Sequence, residues 1–171
     1  MPDPSRAGFE EWVAARRPAL LRTAYLLTGD PHDADDLVQA ALIKVVPRWA
    51  KVAADPEAYV RRVLVTTNVS RWRRRRWREV HVEAIPDRAA AVPATDDRLA
   101  LHDALARLAP RQRAVIVLRY YEDLTERETA AILGIAVGTV KSQARDALSR
   151  LRQMLPGLDI AERDDALEGR A

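Results

Sequence analysis

The chain has 171 residues, 48% of them hydrophobic, with 28 Lys and Arg against 25 Asp and Glu and a formal net charge of +3. That length suits one domain or two small ones, and the hydrophobic share is enough for packed cores, which excludes global disorder. There is no cysteine, which excludes disulfides, cysteine zinc sites and thiol catalysis and accords with a reducing compartment.

In chain order, residues 1–7 read as a loose tail. A first helix follows with Phe9, Trp12 and Val13 apolar. Pro18 is expected to interrupt or restart it, because proline suits a first helical turn. Leu20, Leu21, Ala24, Leu26 and Leu27 carry the pattern on to Thr28-Gly29. Asp30 is a good N-cap and Pro31 a good first helical residue. The next helix, HDADDLVQAALIKVVPRW, sets Leu37, Val38, Ala41, Leu42 and Val45 on or near one face. Pro47 should end or kink it. Asp33, Asp35 and Asp36 crowd its start, where each stabilises the helix dipole by a few tenths to about 1 kcal/mol. A metal site there would need ligands converging from elsewhere, and the sequence supplies none, so no metal is expected.

Asp55-Pro56-Glu57 starts a third helix of the same type. It begins amphipathic, with Tyr59, Val60, Val63, Leu64 and Thr67 near one side, and ends in RWRRRRWR, six arginines in the eight residues Arg71 to Arg78. A charge run is usually a solvated face. A surface built only for solubility would mix lysine with glutamate. Clustered arginine suits phosphate, and tryptophan offers a stacking plane for an unpaired base. An acidic protein surface or a membrane is the rival target. Glu79 to Asp97 contains Pro86 and Pro93 and lacks a useful helical stripe. It reads as a flexible linker, and a tether of about 20 residues spans up to about 65 Å when extended.

A second domain begins near Asp96. Leu99, Leu101, Leu105 and Leu108 suggest a core-facing helix. Pro110 restarts the chain into RQRAVIVLRYYED, with Val115, Ile116, Leu118 and Tyr121 expected to be largely buried. That helix should pack beside the stretch Thr125 to Leu151, which reads as a helix-turn-helix. Thr125-x-x-Glu128 is a capping box, Gly134 suits the left-handed turn at a helix end, and Val140, Ala144, Ala147, Leu148 and Leu151 lie on one face of the second helix. Thr139, Lys141, Ser142, Gln143, Arg145 and Asp146 remain to reach base edges and phosphates from the major groove. The plainer reading is a helical hairpin with a solvated outer face. Residues 156–171 form an acidic tail with at most a short helix. No apolar run approaches a membrane span and the N-terminus lacks a signal-peptide core, so a cytoplasmic protein without membrane insertion is expected.

A basic aromatic helix, a tether and a helix-turn-helix in this order resemble the extracytoplasmic-function (ECF) sigma factors of bacterial RNA polymerase. Four segments between residues 8 and 155 carry the resemblance: TAYLLTGDPHDADDLVQAAL, DPEAYVRRVLVTTNVSRWRRRRW, LARLAPRQRAVIVLRYYEDLTERETAAILG and GTVKSQARDALSRLR. Each alone is weak to moderate, whereas all four in order are highly specific. The tryptophan-flanked arginine run and its DPEAYVRR lead-in look most like an actinobacterial subfamily. The resemblance implies an all-α protein of two small helical domains. Sigma domain 2 would occupy residues 8–78 and sigma domain 4, with the helix-turn-helix, residues 98–155, joined by a linker at 79–97. It implies binding to the clamp coiled coil of the polymerase largest subunit through Asp35, Asp36, Leu37, Gln39, Ile43 and Lys44. Arg61, Arg62, Asn68, Arg71, Trp72, Arg74 and Arg75 would lie on or near the −10 strand of promoter DNA. Thr139, Lys141, Ser142, Gln143, Arg145 and Asp146 would hold the −35 element while domain 4 sits on the β-flap. An anti-sigma factor is a further partner that the family allows. It would occlude the Asp36 to Lys44 face or wedge between the domains.

Two residues depart from the family pattern. Ala136 stands where a capping residue is common, at a cost of about 1 kcal/mol relative to serine, so the start of the second helix is expected to be shifted or held by tertiary contacts. Asp146 stands where a basic residue is common. Aspartate accepts from cytosine but repels phosphate, which puts the −35 preference of relatives in doubt here. The rival functions are a dimeric helix-turn-helix regulator on a palindromic site, which leaves the arginine–tryptophan helix unexplained, and an RNA-binding protein, which leaves the second domain unexplained. An enzyme is not expected, nor any cofactor: His32, His81 and His102 are isolated and no phosphate loop appears.

Overall fold

A computed structural model describes residues 4–79 and 96–157, and its described secondary structure is entirely helical. The chain divides into two compact units, Met1–Ala90 and Ala91–Ala171.

In the first unit α1 (Arg6–Thr28) packs on α2 (Pro31–Val45), and both pack on α4 (Pro56–Glu79). Ser5 caps α1 by accepting from the Gly8 amide, and Gly29 ends it at φ 81°, donating to the Tyr25 carbonyl. Glycine takes that left-handed conformation without a Cβ clash. Pro18 does not interrupt α1, contrary to expectation; the helix runs through it. An interior proline forfeits one backbone hydrogen bond and costs about 3 kcal/mol or more. Here Trp12 is buried before it and Leu20, Ala24 and Leu27 after it, so packing holds both halves on one axis.

Asp30 caps α2, accepting from the Asp33 amide at 2.9 Å, with Pro31 in the first turn. The helix stops at Val45 rather than reaching Trp49, and Pro47 lies in a 3-10 turn, Val46–Arg48. A four-residue helix that the sequence did not announce, α3 (Trp49–Val52), comes next. Its Trp49 is buried and meets Phe9 edge-on at 5.2 Å and Trp12 at 5.6 Å. Leu27, Leu37, Val38, Val45, Val60, Leu64 and Val65 complete this core. Burying such a side chain contributes roughly 1.5–3 kcal/mol.

The second unit consists of α5 (Asp96–Ala106), α6 (Pro110–Ile116), a π-turn (Val117–Tyr121), α7 (Glu126–Leu133) and α8 (Val137–Met154). Val115, Ala130, Val140 and Ala144 form a core cluster, with Leu133 and Ile135 against it. The π-turn explains why Tyr121 is 47% exposed although the helical pattern placed it inside. One extra residue in the turn rotates the succeeding side chains away from the α-helical stripe. Within the turn Arg119 is buried, and its Nη1 donates to the Leu124 carbonyl at 2.6 Å.

Arg113 is also buried. Its guanidinium donates to the carbonyls of Leu105, Ala106 and Leu108, at 2.8, 2.7 and 3.3 Å. The Leu105 and Ala106 carbonyls lie in the last turn of α5 and the Leu108 carbonyl just past it, so a side chain of α6 helps to cap the end of α5. Burial lowers the pKa of Arg113, yet a guanidinium stays charged. Arg113→Met should destabilise the second unit by about 2–4 kcal/mol, since it strands buried carbonyls. Chemical denaturation of the full chain, followed by far-UV circular dichroism, measures this.

Candidate nucleic-acid interface

The anchored half of α4 fixes its free-standing half. Val60, Leu64, Val65 and Thr67 are buried, which orients the helix so that the basic stretch emerges on the surface. Arg62, Arg73, Arg74 and Arg75 are exposed, and Arg61, Asn68, Arg71 and Trp72 are partly buried. Of the tryptophans that flank the arginine run, Trp77 is 78% exposed and Trp72 is partly buried.

Cross-helix ion pairs brace this arrangement. Arg16 Nε meets Glu57 at 3.1 Å, joining α1 to α4. Arg17 pairs with Asp35, joining α1 to α2, and Gln39 donates to the same carboxylate at 2.9 Å. Arg75 makes a two-pronged pair with Asp33, Nη2 to Oδ1 at 2.9 Å and Nη1 to Oδ2 at 3.1 Å. Asp33 and Asp35 thus brace helices besides favouring the α2 dipole. The partners are 42 and 18 residues away in sequence, beyond any local pattern.

The residues expected to meet the polymerase are placed differently. Asp36, Gln39, Ile43 and Lys44 are exposed, Ile43 at 72%. Asp35 and Lys44 are tied within the fold; Lys44 Nζ donates to Thr67 Oγ1 at 3.0 Å. Leu37 is 0% exposed and has no surface to offer a partner, so any part it plays is to hold α2 in place. Sequence reasoning missed Val46, 54% exposed. It lies three residues from Ile43, so the two form an apolar pair off the buried stripe; that phase mismatch was the available signal.

In the second unit the capping box is formed: the Thr125 side chain accepts from the Glu128 amide and Glu128 accepts from the Thr125 amide. Gly134 turns the chain at φ 64°. The start of α8 is not shifted. It begins at Val137 with Ala136 as its N-cap, without a side-chain hydrogen bond. All five apolar positions read from the sequence, Val140, Ala144, Ala147, Leu148 and Leu151, are buried. On the other side Thr139, Lys141, Arg145 and Asp146 are exposed, while Ser142 and Gln143 are partly buried. Lys141 pairs with Glu126 of α7 at 3.3 Å, and Arg145 lies 3.8 Å from Asp146. Among the described residues no cluster of three or more acidic, histidine or cysteine side chains could hold a metal ion, and no helix is long and apolar enough to cross a membrane.

Two family models match these two units: sigma-70 region 2 over residues 12–78 and sigma-70 region 4 over residues 98–151. The chain belongs to the sigma-70 family. It is similar to the RNA polymerase sigma-E factor of Streptomyces avermitilis, 46% identical over 160 residues that span 91% of this chain and 89% of that one. It is also similar to the ECF RNA polymerase sigma factor SigL of Mycobacterium tuberculosis, 35% identical over 167 residues, 91% and 90% of the two chains. Among solved structures it matches the sigma factor RpoE of Bartonella quintana, crystallised with the anti-sigma factor NepR. The TM-score is 0.71 at 29% identity, covering 87% of this chain and 97% of that one. The sigma factor described here is therefore of the ECF group, as the four motif segments implied.

The geometry of this sigma factor has two measurable outcomes. Ala136→Ser supplies the missing cap and should raise stability by about 1 kcal/mol, read as a higher thermal midpoint. The second concerns acid. The hydrogen bonds from Arg75, aided by the charges of Arg75, Arg71 and His32 and opposed by burial, hold the Asp33 carboxyl below its ordinary value of 3.8. A lowered carboxyl pKa contributes stability above the unfolded value and loses it as pH falls through the folded one. The thermal midpoints of parent and Asp33→Asn should therefore differ at neutral pH and converge as pH drops below about 3.8.

Proposed function

We propose that this sigma factor binds core RNA polymerase through α2, reads the −35 element with the exposed face of α8, and engages the −10 strand with the basic half of α4, where it helps to melt the duplex. The observation that carries the reading is the pairing of two separate DNA-directed helices in one chain. One is an exposed arginine–tryptophan helix within the match to sigma region 2, the other a capped helix-turn-helix within the match to region 4.

Each helix suits its target physically. A helix with an exposed polar face and a buried apolar one can enter the major groove, whose edges distinguish all four base pairs. Arginines along α4 would supply phosphate affinity, while an aromatic plane captures an unstacked base. Holding the single strand shifts the melting equilibrium without nucleoside triphosphate chemistry from this protein; RNA synthesis belongs to the polymerase. Residues 80–95, which lie between α4 and α5 and outside the described residues, would serve as the tether that lets the two units engage separated elements. The exposed Ile43–Val46 pair with Asp36 and Gln39 offers the polymerase an apolar contact with a polar rim. An anti-sigma factor, the kind of partner crystallised with the Bartonella protein, would block polymerase by covering the same face.

Run-off transcription tests the proposal. Actinobacterial core polymerase with this protein, on a pool of genomic promoters, should give discrete transcripts that are absent without it. No transcript, together with dimeric binding to a duplex palindrome, would establish a helix-turn-helix regulator instead. Within the same assay Asp146→Arg should raise general DNA affinity and change the −35 preference, because it replaces a phosphate-repelling side chain on the exposed face of α8. Unchanged promoter selection and salt dependence would remove Asp146 from the DNA face.

A further inference from the structure

Resting on the reading of α4 as a strand-binding helix, we propose that Arg75 forms a phosphate site that Asp33 fills as an internal anion, keeping Arg75 out of contact with non-cognate single strands. Three observations carry this. First, Asp33 does not cap α2. Asp30 takes that role by accepting from the Asp33 amide, so the Asp33 carboxylate is turned across to α4. Second, the contact is a fork. Both terminal nitrogens of Arg75 donate, one to each carboxylate oxygen, at 2.9 and 3.1 Å. This is the geometry in which guanidinium grips a phosphate, and one fork holds one anion at a time. Third, Arg71, one helical turn before Arg75, also acts on the Asp33 charge. Arg75 holds the Asp33 carboxylate by hydrogen bonds, and Arg71 adds only a nearby charge.

The site is accessible rather than sealed, with the Arg75 and Asp33 side chains 54% and 32% exposed. An exposed ion pair is worth about 1 kcal/mol or less, so Asp33 tunes the site and does not close it irreversibly. The consequence is selectivity. Phosphate contacts bind every sequence alike, and a sigma factor whose arginines were all available would be held by any single strand. Neutralising Arg75 from within subtracts a non-specific contact and leaves base capture undiminished.

The test uses the full chain and fluorescence anisotropy on a single-stranded oligonucleotide lacking a −10 sequence, titrated over a range of salt. Asp33→Asn should bind about 3- to 10-fold more tightly at low salt, and its log-affinity against log-salt slope should steepen by about 0.7, one phosphate on a single strand. Arg75→Ala should cost more affinity when combined with Asp33→Asn than in the parent. A weaker or unchanged Asp33→Asn complex would overturn the proposal and make Asp33 a brace for α4. If Asp33→Asn fails to fold, Asp33→Ser is measured in its place, with the same outcomes deciding. Arg74→Ala is the control for the underlying reading: if it leaves affinity for every single strand intact, α4 is not a strand-binding helix, whatever Asp33 does.

Discussion

The whole of the first unit depends on one constraint: α4 must bury one half and present the other. Val60, Leu64, Val65 and Thr67 lock its first turns against α1 and α2. Because a helix is stiff, that anchorage sets the direction and rotation of the arginines beyond it. An isolated peptide of the same sequence would carry its charges in no fixed place. Packing remote from the basic surface is what turns a charge run into an interface.

Several charges of this protein are used in pairs across helices. Arg17, Arg16 and Arg75 each reach a carboxylate on another helix, and Lys141 reaches one on α7. Individually such surface pairs stabilise little. Their value lies in fixing which donors of a cationic helix remain available, and in what order. Arginine plays a related part inside the second unit, where the Arg113 guanidinium adds to the turn that ends α5. There the guanidinium is buried and its hydrogen bonds matter far more.

The last helix, α8, shows how little local signal a helix needs once its neighbours are set. Ala136 provides no side-chain cap, and α8 still begins at Val137. Burial of Val140 and Ala144 against Val115 and Ala130 holds the first turns, and α7 arrives through a complete capping box and a left-handed glycine. Tertiary contact substitutes for a missing cap at a cost that a single serine could recover.

By itself the sequence determined the elements whose causes are local. The caps at Asp30 and Thr125, the glycine turn at Gly134 and the apolar stripe of α8 were legible because hydrogen bonds three residues apart and a 3.6-residue period are written in neighbouring positions. So was the family, through four segments in order. Only the tertiary structure decided that Pro18 sits within a continuous helix, that Trp49 forms a short helix against Phe9 and Trp12, and that Tyr121 is exposed while Arg119 is buried. It also buried Leu37 and left Ile43 and Val46 exposed, and it engaged Arg75, Asp35 and Lys44 within the fold. The three engaged charges have partners 18 to 42 residues away. No periodicity along the chain encodes a contact at that distance, so which charges and apolar side chains face solvent is settled only when the helices meet.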